Sequence, residues 1–252
     1  VSLAYFEWSA ADGADLDDRG AWAQANPALG IRVSEEFITW ERAALGDAEF
    51  ARERLGIWDD PAATGLFDLD RWNALADRRS GMPGVPTFAV DVTPDRQFGC
   101  LGAAGARADG LLHVEVVELD RGTGWLVDRM AEIARDHGVS RLVLDPSSPA
   151  ASLTKDMEDL GLEVVPVSSV EYAQACGVLF DLVTEGKLRH LGQLPLDTAV
   201  AGARQRHRGD AFVWNRRTPT VNISPLVAVT LALHGHLNAP PPSPRTFFGG
   251  LA

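Results

Sequence analysis

The sequence predicts an α/β protein, a mixed sheet with helices on both faces, preceded by a helical N-terminal segment. Three observations lead there. Residues 34–58, "SEEFITWERAALGDAEFARERLGIW", place apolar side chains near helical spacing. From Thr87 the pattern changes to three apolar strands in succession and then alternates helix with strand. The run "RLVL" before Asp145 is short and continuously apolar, the kind of strand that a parallel sheet buries on both faces.

Taken in order, residues 1–80 read as helical, with Ser34 as a helix cap. Trp8, Trp22, Trp40 and Trp58 are spread through this part and suggest a compact packed subdomain. The stretch "DRRSGMPGVP" reads as a linker. Strands follow at 87–92, about 97–105 and about 111–119. "TGWLVDRMAEIARDHG" is an amphipathic helix closed by Gly138, "SRLVLD" a buried strand, and "SPAASLTKDMEDLG" a helix. "LEVVPVS" is a strand and "VEYAQACGVLFDLVTEG" a helix. "PLDTAVAGARQRH" reads as helical, "FVWNRR" as a strand, and "SPLVAVTLALHGHL" as an apolar helix started by Ser224 and Pro225. The expected sheet domain spans residues 85–238, and the Pro- and Gly-rich stretch 239–252 reads as a flexible tail.

A chain of 252 residues can form one large domain, or one domain with a substantial extension. No segment approaches the roughly 20 apolar residues that span a bilayer, and the opening residues lack the pattern of a signal peptide. No membrane association is expected. Cys100 and Cys176 stand alone, which suits a reducing cytoplasm and two small core side chains. The net charge of -12 excludes a uniformly basic polyanion binder. It leaves room for a local basic groove, because acids crowd the stretch before Asp70 while Lys187 to Arg217 is basic. Lys187, Arg189, Arg204, Arg206, Arg208, Arg216 and Arg217 are candidate phosphate contacts, which give affinity without reading sequence. A solvated charged surface fits the same residues.

The stretch "FAVDVTPDR" ends a core strand in an acid. Phe88, Val90 and Val92 share one face, and Ala89 and Asp91 the other. A carboxylate there must be protonated, paired or bound to metal, unless it merely caps the turn at Thr93-Pro94. Asp145 ends "RLVLD" in the same way, although alone it also reads as a helix N-cap. Two carboxylates at the ends of neighbouring strands repel unless a cation sits between them, and oxygen donors suit Mg²⁺ or Mn²⁺. A third ligand is expected where "VNISPL" opens the last helix. Asn222 stands there, and Asp210 is the nearest carboxylate.

"FAVDVTPDR", "RLVLDPSSPA" and "VNISPLVAVTLALHGHL", in that order, resemble the nuclease domain of tailed-phage terminase large subunits. "AWAQANPALG" and "FARERLGIW" are similar to the segment that joins that family's ATPase motor to its nuclease. The resemblance covers the chain to about residue 238. It implies a ribonuclease-H-like fold and metal-dependent cleavage of double-stranded DNA during genome packaging, in the host cytoplasm. Other terminase subunits and the portal or procapsid are the implied partners. Asp91 and Asp145 are the implied metal ligands, with Asn222 in a place where the family usually has Asp, and Asn215 departs in the same way. No GxxxxGK[ST] stretch occurs, so the expectation is an excised C-terminal piece or a truncated prophage product.

The implied chemistry is in-line phosphodiester hydrolysis at two divalent ions about 4 Å apart. Asp91 would bridge both, Asp145 would hold one and position 222 the other. His190 and His207 are candidate proton carriers but read more simply as packing or surface residues. His234 and His236 read as structural, and Trp125 and Trp214 as core. A DNA-clamp or assembly module, weakened by Asn222, is the alternative. An unrelated transposase or resolvase of similar fold is disfavoured by "WAQANPALG".

Overall fold

A computed structural model of the chain describes residues 4, 6–11, 13–57, 65–216 and 221–239. It divides into two compact units, residues 1–64 and 65–252. The stretch after Thr64 thus goes with the sheet, whereas the sequence pattern had set the change near residue 85.

The first unit holds α1 (Arg19–Ala25), α2 (Glu35–Ala44) and α3 (Asp47–Leu55). Ser34 caps α2 as expected, its hydroxyl accepting from the Phe37 amide. The helical pattern expected over 34–58 is interrupted at Leu45 and Gly46, both extended, so that α2 and α3 pack on each other. Trp22, Ile38, Phe50 and Leu55 form the small core. Trp8 and Trp40 are exposed rather than packed, and Trp58 lies outside the described residues.

In the second unit, α4 (Leu69–Ala74) precedes β1 (Thr87–Val92), β2 (Phe98–Ala106) and β3 (Leu112–Arg121). Then come α5 (Trp125–His137), β4 (Arg141–Leu144), a 3-10 turn (Pro149–Leu153), α6 (Thr154–Asp159) and β5 (Glu163–Pro166). The unit continues with α7 (Ser169–Glu185), β6 (Leu188–His190), α8 (Leu194–Ala201), β7 (Gln205–Arg208), β8 (Ala211–Trp214) and α9 (Ser224–Leu237). Six strands make one mixed sheet in the order β5-β4-β1-β2-β3-β6. β2 runs antiparallel to both of its neighbours, and the other pairings are parallel.

Alternation along the strands sends side chains into two cores. Phe88, Val90, Val92 and Leu101 pack with Leu126, Met130 and Met157 on the α5–α6 side. Ala89, Val143 and Val116 pack with α7, α8 and α9 on the other. α9 is buried over its first ten residues because it lies directly on the sheet. Gly102 permits this approach, since a Cβ there would come within 2.8 Å of the Ala228 main chain. At its far end Gly235 rests against Val143 and Thr87, so α9 starts over the carboxyl end of β1 and finishes over its amino end. Gly138 closes α5 in a left-handed conformation, as predicted.

The structure departs from the sequence pattern at three places. "PLDTAVAGARQRH" is helical only to Ala201, and Gln205–Arg208 instead pairs with Ala211–Trp214 as a separate two-stranded hairpin. The strand expected in "FVWNRR" is Ala211–Trp214, and it lies outside the main sheet. The sheet's sixth strand is β6, three residues too short to show a period.

Candidate metal centre

Parallel pairing of Phe88 with Leu142 and Ala89 with Val143 fixes the offset between β1 and β4. Extending that register sets Asp91 beside Asp145, about one strand spacing of 4.8 Å apart in the main chain. Both follow the parity of Ala89 and Val143, so both face the side covered by α9. Asp91 is wholly buried and Asp145 nearly so.

Burial drives the Asp91 carboxyl up to about 6, against the opposing pull of Arg216 and with a further push from the charge of Asp145. The Arg216 Nη2 lies 2.8 Å from Asp91 Oδ1 and 2.9 Å from Oδ2, and it donates to the Val92 carbonyl at 2.8 Å. Asp145 Oδ1 accepts from the Ser147 amide at 2.8 Å and from its hydroxyl at 2.6 Å. These bonds orient the Asp145 carboxylate at the break after β4, where Pro146 stops the strand.

A cleft of about 370 Å³ opens over Asp91, lined also by Thr93, Asp95, Arg216, Asn222 and Ser224. The Asn222 Oδ1 accepts from the Ser224 amide at 2.9 Å and from its hydroxyl at 2.7 Å, which locks the side chain at the start of α9. Asp95 was not singled out in the sequence. Its Oδ1 accepts from the Thr93 hydroxyl at 2.7 Å and the Gln97 amide at 3.1 Å, and these bonds hold its carboxyl below the usual range. The signal was present in "DVTPDR", where Thr93-Pro94 turns the chain back over Asp91.

The remaining candidates are dispersed. Asp210 is exposed at the tip of the β7–β8 hairpin and does not line the cleft. Lys187 pairs with Glu185, and Arg189 donates to the carbonyls of Gly186 and Leu188. Arg189 is in register with His113, six residues from Leu119, which pairs with Cys100 opposite Asp91. That is about 20 Å along the strands and three strand spacings across them, so Lys187 and Arg189 do not join the carboxylates. Arg206 and Arg208 are exposed on β7, Arg208 donating to the Ser169 carbonyl, and Arg204 donates to the Ala203 carbonyl just before it. Arg216 is inside the centre rather than on an outer phosphate-binding surface, and Arg217 lies outside the described residues.

His190 is a packing residue. It stacks on Trp72 with ring centroids 3.9 Å apart, accepts a hydrogen bond from the Gly192 amide at Nδ1, and faces the Trp72 carbonyl through Nε2. His207 is exposed on β7. His234 and His236 lie in the last turn of α9. Trp214 is buried and bonds Thr230, whereas Trp125 is only partly buried against the α5–α6 core.

Among the described residues no three His, Cys, Asp or Glu side chains gather as a ready metal cage. The donor chemistry nevertheless fits one hard cation, because both Asp91 oxygens and the Val92 carbonyl already converge on a single positively charged nitrogen. Asp145 and the Asn222 amide oxygen would complete an all-oxygen set.

No protein-family profile and no curated protein matches the chain. Solved structures do. The large terminase of bacteriophage HK97 aligns with a TM-score of 0.58 at 18% identity, over 90% of this chain and 56% of that one. The chain therefore spans little more than half of that protein. A mutant nuclease domain of the large terminase subunit of bacterial virus Sf6, with manganese, aligns with a TM-score of 0.51 at 10% identity, over 68% of this chain and 99% of that one. A calcium-containing structure from the same phage subunit gives 0.52 over the same shares. The mixed α/β architecture described above is the ribonuclease-H-like fold of phage large-terminase nuclease domains.

Proposed function

We propose that the chain is the metal-dependent endonuclease module of a phage or prophage DNA-packaging terminase, cleaving double-stranded DNA. The observation that carries this reading is the buried Asp91 beside Asp145 at the carboxyl ends of β1 and β4, open to a cleft and already neutralised by a cation. Nothing in a purely structural role requires two acids to share that position, and their repulsion costs stability unless positive charge is supplied.

Asp91 and Asp145 would hold Mg²⁺ or Mn²⁺, with Asn222 offering an amide oxygen. Bound there, one or two such ions polarise the phosphodiester and lower the pKa of an attacking water. Ser147 holds Asp145 through Oδ1 and leaves Oδ2 for an ion, whereas the Asn222 Oδ1 accepts two bonds from Ser224 and would give one up to ligate. Arg204, Arg206 and Arg208 would hold the DNA backbone along the exposed hairpin, without base readout. Other terminase subunits and the portal or procapsid are the expected partners, in the host cytoplasm.

The test is nicking of supercoiled plasmid with Mn²⁺ or Mg²⁺, with and without chelator. Asp91→Ala should abolish metal-dependent cleavage while circular dichroism stays unchanged; undiminished cleavage by the variant would remove Asp91 from the centre. A weakened DNA-clamp reading is favoured by one specific observation, the amide at position 222. It expects duplex binding by the unaltered protein with no cleavage at any metal concentration.

A further inference from the structure

We propose that Arg216 is a built-in counter-ion, which occupies the cation position at Asp91 and has to be expelled before metal can bind. The inference deepens the metal-centre reading and rests on it.

Position is the first argument. One nitrogen of Arg216 sits 2.8–2.9 Å from both carboxylate oxygens of Asp91 and from the Val92 carbonyl. These three oxygens form one pole of the centre, so the guanidinium and a metal ion compete for the same electrons and the same space. A divalent ion would draw such oxygens in to about 2.1 Å, which leaves no room for the nitrogen between them.

Charge is the second argument. A guanidinium stays protonated at every working pH, so it cannot step aside by losing a proton. It has to move. With Arg216 in place, Asp91, Asp145 and Arg216 together carry one net negative charge, and Asn222 adds none. That is a weak attraction for a divalent ion. Removing the guanidinium raises that figure from one negative charge to two, beside the Asp95 carboxylate that also lines the cleft.

Anchorage is the third. Arg216 stands two residues beyond Trp214, which α9 pins through Thr230, and its side chain lines the open cleft. The end of β8 is thus fixed while the guanidinium reaches the centre from the cleft side. Expelled, it would swing into the same cleft that admits the substrate, and a DNA phosphate is the anion that would receive it. Metal loading and DNA engagement would then favour each other, because each gives Arg216 a reason to leave Asp91.

The experiment is Mn²⁺ titration without DNA, following the signal of free aqueous Mn²⁺ by electron paramagnetic resonance and the heat by calorimetry. The proteins are the unaltered chain, Arg216→Gln, Arg216→Lys and Asp91→Asn. Arg216→Gln should bind Mn²⁺ at least about tenfold more tightly, and Arg216→Lys, which keeps the charge, should stay near the unaltered protein. Equal affinity in Arg216→Gln and the unaltered chain, with binding lost in Asp91→Asn, would overturn the counter-ion and leave the metal centre standing. Binding that survives in Asp91→Asn would overturn both. Should Arg216→Gln fail to fold, the unaltered protein decides. The Arg216 side-chain Nε–H resonance should shift when Mg²⁺ saturates the site, and a resonance unmoved at saturation would overturn the inference.

Discussion

Acidification should release metal from this centre far above the pH at which ordinary carboxylates titrate. Asp91 is held at about 6 by burial, with Arg216 opposing and Asp145 adding to the shift. At pH 7 about ten-elevenths of such a group is ionised, and at pH 5 about one-eleventh. A metal ion at pH 5 must therefore drive a proton off Asp91, and apparent affinity should fall about tenfold between pH 7 and pH 5, or about 1.4 kcal/mol. An unperturbed aspartate, at about 3.9, would remain more than about 90% ionised at pH 5 and lose almost nothing. Calorimetric Mn²⁺ titrations in two buffers of different ionisation enthalpy measure both quantities, the affinity and the proton released. Close to one proton per ion should appear at pH 5 and very little at pH 7.5. An affinity that stays flat from pH 7 to pH 5, with no proton release, would refute the placement of Asp91 as a buried ligand. The same shift acts on metal-free stability with a definite sign. Below about pH 4 both folded and unfolded states hold the proton; between about 4 and 6 only the folded state does. The Asp91 contribution therefore declines as pH rises through that window, by up to about 3 kcal/mol.

Asn222→Asp is the complementary perturbation. Its Oδ1 already accepts both bonds from Ser224, so a carboxylate fits without moving, and it adds the missing negative charge just ahead of the N-terminus of α9. Nuclease activity at millimolar Mg²⁺ should rise at least about tenfold, a change of about 1.4 kcal/mol in the barrier; unchanged activity would discard position 222 as a ligand. Charge reversal at Arg206 and Arg208 should weaken binding equally for unrelated duplexes and flatten its salt dependence, measured by fluorescence anisotropy. Retained affinity would move the DNA track away from the hairpin.

The sheet was legible in the sequence because its strands carry strong, separate signals. Thr87–Val92 and Arg141–Leu144 alternate or run apolar between clear breaks, with Asp91 one residue before the end of the first and Asp145 one residue past the end of the second. The polar hairpin was not legible. Gln205–Arg208 contains no buried residue, so it has no apolar period to set it apart from the preceding helical run. β6 escaped notice for the opposite reason, being short and held in place by β3 and by the Ala76 bridge to His190. In the sequence Arg216 is one base of a basic block. Its partner Asp91 lies 125 positions away, and no local pattern announces a pairing of that reach. Asp95 carries no strand-end signal, and only the turn that follows β1 brings it back over the cleft.

The four side chains around the centre come from four separate segments, β1, the end of β4, the exit of β8 and the entrance of α9. α9 follows every strand of its unit in the chain, yet it covers the middle of the sheet and supplies position 222. On a ribosome, the sheet's carboxylates would emerge long before that helix could settle on Gly102. A nascent chain would carry two mutually repelling acids under an uncovered apolar face, with neither the amide nor the arginine yet in place. The carboxylates, the arginine and the amide therefore come together only once α9 is in place, and a chain still lacking that helix has no assembled centre.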